Sequence, residues 1–265
     1  MPDQRTDTSA QPSLRRRILD GELVVGSFLN LGSPMAAELC GRAGFDWLVL
    51  DMEHGVLTEA GLLHMLQAVE STPAAAVVRV EEGTRLRIGR ALDFGAPALM
   101  IPRVESVEQA AEIVNYVRYP PLGTRGVALP TRGAGYGAST HGDVARAHEE
   151  TALFIQIESA QAAEAAADIA ALDGVDVLFV GPTDLTHALG VPGDITAPAY
   201  AEAVTGVARA AAQHGKAAGV LLWALDDLGP DQDAGYSFFA VGSDGGYVAS
   251  AARGLAAAFR ERVSG

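Results

Sequence analysis

The chain has 265 residues, 49% of them hydrophobic and 20% charged, and a net charge of −14. That length and composition fit a globular protein with a sizeable core, built as one large domain or two small ones. The acidic balance argues against nucleic acid or an anionic membrane as partner, and the single cysteine, Cys40, excludes an internal disulfide.

In chain order, residues 1–12 are polar, lack periodicity and read as a disordered tail. No apolar leader follows the arginines at 15–17, and no apolar run approaches the ~20 residues of a membrane span, so a cytoplasmic location is expected. Ser13 caps a short helix that Gly21 stops. Short apolar runs then alternate with helical stretches. Strands are expected over 23–29, 47–51, 76–80 and 98–102, with helices over 34–43, after Thr58, over 84–94 and over 106–116. Residues 120–137 break the rhythm with a glycine- and proline-rich stretch, too long for a simple connection and therefore functional or disordered. A strand over 153–157, an Ala-rich helix over 161–172 ended by Asp173-Gly174, and a strand over 177–180 form a strand–helix–strand unit with a parallel crossover. A helix over 200–214, strands over 217–222 and 238–241, and a closing helix over 249–263 complete the chain. Eight strands alternating with helices, with no linker between them, predict an α/β fold: a single (β/α)8 TIM barrel over residues 13–265, preceded by an N-terminal helix. A doubly wound open sheet is the alternative.

In such a barrel the chemistry lies where the strands end. Glu158 follows the fifth strand and Asp184 follows the sixth. Adjacent parallel strands lie about 5 Å apart, so the two carboxylates can converge and call for a cation between them. Two oxygen ligands, without cysteine or histidine spacing, suggest Mg²⁺ or Mn²⁺. Asp51, Glu53 and His54 directly follow the second strand, where two carboxylates can orient an imidazole. Arg79 sits inside an apolar strand and needs an anionic partner or ligand. Gly181, Pro182, Thr183 and Asp184 resemble a helix start whose free N–H groups, on Gly181, Thr183 and Asp184, favour an anion. Gln156 precedes Glu158, and Leu221 near the end of the seventh strand is expected to line the same pocket. Arg125 lies among glycines, where a tight turn and a supporting contact to the site both fit. By spacing alone, Asp93 is a surface carboxylate. There is no phosphate-binding glycine loop and no GxSxG element, and the only lysine, Lys216, precedes a strand at the wrong end for Schiff-base chemistry.

The segments DWLVLDMEHG (46–55), VVRV (77–80), ALMIPRVESVEQA (98–110), YPPLGTRGVA (119–128), FIQIES (154–159), VDVLFVGPTDL (175–185) and FFAVGSD (238–244) resemble the HpcH/HpaI family of class II, metal-dependent pyruvate aldolases. The resemblance implies a lyase that reversibly cleaves a 4-hydroxy-2-oxo acid to pyruvate and an aldehyde through a metal-stabilised pyruvate enolate, with Mg²⁺, Mn²⁺ or Co²⁺. Oxaloacetate decarboxylation or biosynthetic enolate addition on the same site, and non-catalytic binding of a 2-oxo acid, are the alternatives. By position, Glu158 and Asp184 would bind the metal with Gln156 beside it. Residues 181–184 would hold the pyruvate carboxylate. Arg79 would polarise the ketone, and His54 would be the base. Asp51 and Glu53 would support these groups. Asp93 would orient His54, from its own or a neighbouring subunit. The resemblance also implies a homo-oligomer, trimeric or hexameric, with a C-terminal helix exchanged between neighbours. Thr183, Val56-Leu57, Arg103 and Ala134 depart from the family pattern and bear on which aldehyde is accepted.

Overall fold

The computed structural model describes residues 12–264, so the tail expected over 1–12 lies outside the described residues except for Pro12. The elements run α1 (Leu14–Leu19), β1 (Val24–Leu29), α2 (Pro34–Arg42), β2 (Trp47–Asp51), α3 (Glu59–Glu70), β3 (Ala75–Arg79), α4 (Arg85–Asp93), β4 (Ala98–Ile101) and α5 (Val107–Val117). They continue with α6 (His141–Arg146), β5 (Ala152–Ile157), α7 (Ala160–Glu164), α8 (Ala166–Ala170), β6 (Val177–Val180), α9 (Pro182–Ala188), α10 (Pro198–Gln213), β7 (Ala217–Leu222), α11 (Leu228–Asp233), β8 (Phe238–Ser243) and α12 (Asp244–Ser264). The strands close into a parallel barrel in sequence order, because β1 pairs with both β2 and β8. That closure excludes the open-sheet alternative.

Successive strand residues face opposite sides of the sheet. In β2, Trp47 and Val49 face the barrel interior while Leu48 and Leu50 face the helices. The same alternation puts Phe28, Val77, Phe154, Phe179 and Phe238 inside. The interior is an aromatic stack: Trp47 lies 4.2 Å from Phe238 and 6.1 Å from Phe179, and Phe154 lies 4.9 Å from Phe238, between ring centroids. Gly26 makes room for it, since a Cβ there would lie 2.2 Å from the Trp47 ring. Helix α1, capped by the Ser13 hydroxyl, plugs the N-terminal end with Leu14 and Ile18, and Arg15 pins it to buried Asp176 at 3.0 Å.

Several boundaries differ from the sequence reading. The Ala-rich helix expected over 161–172 is two short helices broken at Ala165, where ψ is near 0°, although Ala162, Ala166 and Ile169 keep one buried face. The closing helix starts at Asp244 rather than 249, because the Asp244 carboxylate accepts the N–H groups of Asn30 and Gly245. Helix α6 follows the glycine-rich stretch and is fixed by a capping box between Thr140 and Asp143.

Candidate active site

The alternation that fills the barrel also builds the site. Continued past the aromatic layer, inward positions fall on Asn30, Asp51, Arg79, Gln156, Glu158, Gly181 and Leu221, all toward the C-terminal end of the strands. Asp51 and Arg79 are register partners on adjacent strands. Arg79 Nε donates to Asp51 Oδ1 at 2.9 Å and Nη2 to Oδ2 at 2.7 Å, with both side chains buried. Arg79 Nη1 also lies 3.2 Å from Glu53 Oε2. A guanidinium has five N–H donors; the two bonds to Asp51 occupy two, and Glu53 Oε2 is close but accepts no hydrogen bond, so three remain for a ligand. The Phe28 ring lies under the guanidinium at 5.0 Å. Asp51 also accepts the backbone N–H groups of Glu53 and His54, which shapes the turn presenting the imidazole. His54 Nε2 is 3.7 Å from Glu53 Oε2, and the imidazole side chain is 61% exposed.

On the facing wall, Gln156 Nε2 donates to Glu158 Oε2 at 2.7 Å, while Gln156 Oε1 is buried without a partner. The backbone N–H of Arg103 donates to Glu158 Oε1 at 2.6 Å. Burial pushes the Glu158 carboxyl up to about 7; the Arg103 hydrogen bond opposes this, and Glu53 and Asp184 reinforce it. Burial likewise raises the Glu53 carboxyl despite Arg79 and His54 nearby. The Glu158 carboxylate, strained by burial and by repulsion from Glu53 and Asp184, is the kind of donor a hard divalent cation relieves. Among the described residues no three His, Cys, Asp or Glu side chains close around one point. Glu158 and Asp184 would therefore supply two ligands, with water and substrate completing the shell.

Arg79, His54, Gln156, Gly181, Pro182, Thr183, Asp184 and Leu221 line one cavity of about 590 Å³. A residue at Gly181 could carry no side chain freely, since a Cβ would sit 3.1 Å from Gln156 Nε2 and 3.4 Å from Glu158 Oε2. The expected trio of free N–H groups is corrected to two. Gly181 continues the β5–β6 ladder and donates to Ile157 O at 3.2 Å. Thr183 and Asp184, in the first turn of α9, keep theirs free of helical partners.

Asp93 and Arg125 lie elsewhere. Helix α4 starts beyond the end of β3 and returns toward the start of β4, so Asp93 stands at the opposite end of the barrel from His54 of the same chain. There Arg125 Nη2 donates to Asp93 Oδ1 at 3.2 Å and the guanidinium stacks over Tyr119 at 4.3 Å. The cavity wall also includes Phe28, Asn30, Phe179, Trp223, Ser243 and Gly246, which the sequence reading did not single out. Most are ordinary strand residues in composition. Asn30 carried the one usable signal, a polar residue directly beyond a buried strand.

The chain matches the family model described as HpcH/HpaI aldolase/citrate lyase over residues 25–251. It is 38% identical over 240 residues to the 5-keto-4-deoxy-D-glucarate aldolase of Klebsiella pneumoniae subsp. pneumoniae, covering 91% of this chain and 93% of the relative. It is 39% identical over 228 residues to the hydroxypyruvate/pyruvate aldolase of Delftia acidovorans, covering 84% and 83%. A crystal structure of a HpcH/HpaI aldolase/citrate lyase family protein from Burkholderia cenocepacia superposes with a TM-score of 0.88 at 36% identity, covering 93% of this chain and 98% of that one. The chain belongs to the HpcH/HpaI aldolase/citrate lyase family and is a lyase of that family.

Proposed function

We propose that this family member cleaves a 4-hydroxy-2-oxo acid to pyruvate and an aldehyde, reversibly, with a divalent cation at Glu158 and Asp184. The observation that carries the reading is the cavity in which a half-satisfied arginine, an exposed imidazole, two free helix-start N–H groups and the Asp184 carboxylate meet, with Glu158 in an adjoining cavity that shares His54 and Asp184 with it. The bound cation would supply Lewis acidity where charge develops on the 2-oxo oxygen. The N–H groups of Thr183 and Asp184 hold the substrate carboxylate. The spare donors of Arg79, whose guanidinium is fixed by Asp51 and faced by Glu53, would reach the 2-oxo group and stabilise it as an enolate. His54 takes the proton of the 4-hydroxyl. The C3–C4 bond then breaks, its electron pair passes into the enolate, and the aldehyde leaves. Protonation at C3 gives pyruvate.

The exposed face of α12 supports a homo-oligomer. This helix makes its main contacts with β1 and β8, and among the described residues Asp244 is its one buried residue. Val248, Leu255, Phe259 and Val263 lie along it at 62%, 77%, 66% and 66% exposure. Such a stripe needs cover, which a second copy of the chain provides. The same assembly gives Asp93 its route to His54, from another subunit.

The test is pyruvate release from a 4-hydroxy-2-oxo acid. Chelation abolishes it, and His54→Ala lowers kcat by about 10²–10⁴ while leaving thermal unfolding unchanged. Activity that survives chelation sinks the cation, and full activity in His54→Ala sinks the base.

A further inference from the structure

Arg103 stands just past β4 and adopts φ +58°. That left-handed conformation costs a residue with a Cβ roughly 1–2 kcal/mol and costs glycine nothing comparable. The conformation has a use, because it turns the Arg103 N–H onto Glu158 Oε1. Glycine would deliver the same N–H without the penalty. The penalty is therefore borne for the side chain.

That side chain is exposed, and among the described residues its guanidinium forms no ion pair, whereas Arg79 is locked onto Asp51 and Glu53. Arg103 lines a second cavity of about 210 Å³, together with His54, Ser159 and four carboxylates, Glu53, Glu105, Glu158 and Asp184. His54 borders both cavities. A substrate whose first three carbons occupy the larger cavity places its C4 oxygen at His54. Its remaining atoms then run either along the apolar wall of Phe28 and Trp223 or into the smaller cavity. A divalent cation at Glu158 and Asp184 would offset those two carboxylates and Arg79 faces Glu53, while among the described residues exposed Glu105 forms no ion pair with Arg103, whose charge is then open to a ligand.

We propose that Arg103 is the specificity-determining residue of this aldolase and reads a carboxylate at the far end of the acceptor aldehyde. The inference rests on the enolate chemistry proposed above. Pyruvate addition is to be measured with matched aldehydes, glyoxylate against glycolaldehyde and succinic semialdehyde against butanal, in wild type, R103M, R103K and R103G. Metal-dependent exchange of the pyruvate methyl protons, which needs no aldehyde, is followed in parallel. Wild type favours the anionic member of at least one pair. R103M and R103G lower that anionic-to-neutral ratio of kcat/KM about tenfold or more, mainly through KM, as expected for a lost charge-assisted hydrogen bond. R103K restores most of it. R103G keeps the backbone N–H and removes the strain, so its loss of discrimination cannot be a folding defect. Ratios within twofold of wild type in R103M and R103G overturn the assignment. So does a wild-type preference for both neutral aldehydes, which places the acceptor on the Trp223 wall. Exchange that occurs while the ratios stay fixed overturns Arg103 alone, whereas absent exchange in wild type overturns the enolate reading and the assignment with it.

Discussion

The site's economy rests on a few buried charges. Asp51 is fully buried and satisfies both Arg79 and the turn that carries His54. Asp51→Ala removes both hydrogen bonds of the buried Arg79 guanidinium and leaves it only the Glu53 ion pair, so it is expected to lower stability by about 3–5 kcal/mol in urea unfolding, beyond any effect on rate. Glu158 links the cation to pH. Its folded carboxyl titrates at about 7, above an ordinary carboxyl, so the metal-free folded protein holds a proton that the unfolded chain has already released. Its contribution therefore falls as pH rises from the ordinary carboxylate range to about 7. Cation binding expels that proton. Affinity measured by calorimetry should drop about tenfold per pH unit below 7 and level off above it; a flat profile would remove Glu158 from the ligand set. The placement of Asp51, His54, Arg79, Glu158 and Asp184 at the C-terminal end of the strands was legible in sequence, because each lies inside or just beyond a short apolar run. Phe28 and Trp223 were not, since an aromatic residue in or near a strand looks the same whether it faces core or ligand. The Arg103 N–H was illegible for another reason: a positive φ on a non-glycine residue leaves no local trace.

At the scale of elements, the strands were readable because each is a short apolar run with a period of two, and that period also sets which side chains face the site. The helices were less so. The Ala-rich run showed helix propensity but no sign of the break at Ala165, and the glycines after Asp244 hid a helix start that the Asp244 carboxylate secures from across the barrel mouth. Strand packing makes its own prediction. Gly26→Ala drives a Cβ into the Trp47 ring, so it should cost about 1–3 kcal/mol in denaturant unfolding even though it touches no site residue. A neutral result would mean that the aromatic stack can shift, contrary to its close spacing.

The whole molecule is a closed barrel whose N-terminal end is plugged by α1 and whose C-terminal end is open. Barrel closure was legible from the count of alternating elements. The pairing of Asp93 with Arg125 was not, because a contact between residues 32 apart leaves no periodic signature. Leu255→Glu with Phe259→Glu should shift the mass seen by light scattering to that of a monomer. Asp93→Asn should lose activity although Asp93 lies far from His54 in its own chain; a monomeric wild type with full activity would contradict both. The central claim is that a divalent cation and these side chains make an enolate from pyruvate. Proton NMR in D₂O tests it directly. Exchange of the pyruvate methyl protons is expected in the metal-loaded protein, with a fall of about a hundredfold or more on chelation and recovery with added Mg²⁺ or Mn²⁺. Exchange undiminished by chelation, or none with any divalent metal, would contradict it.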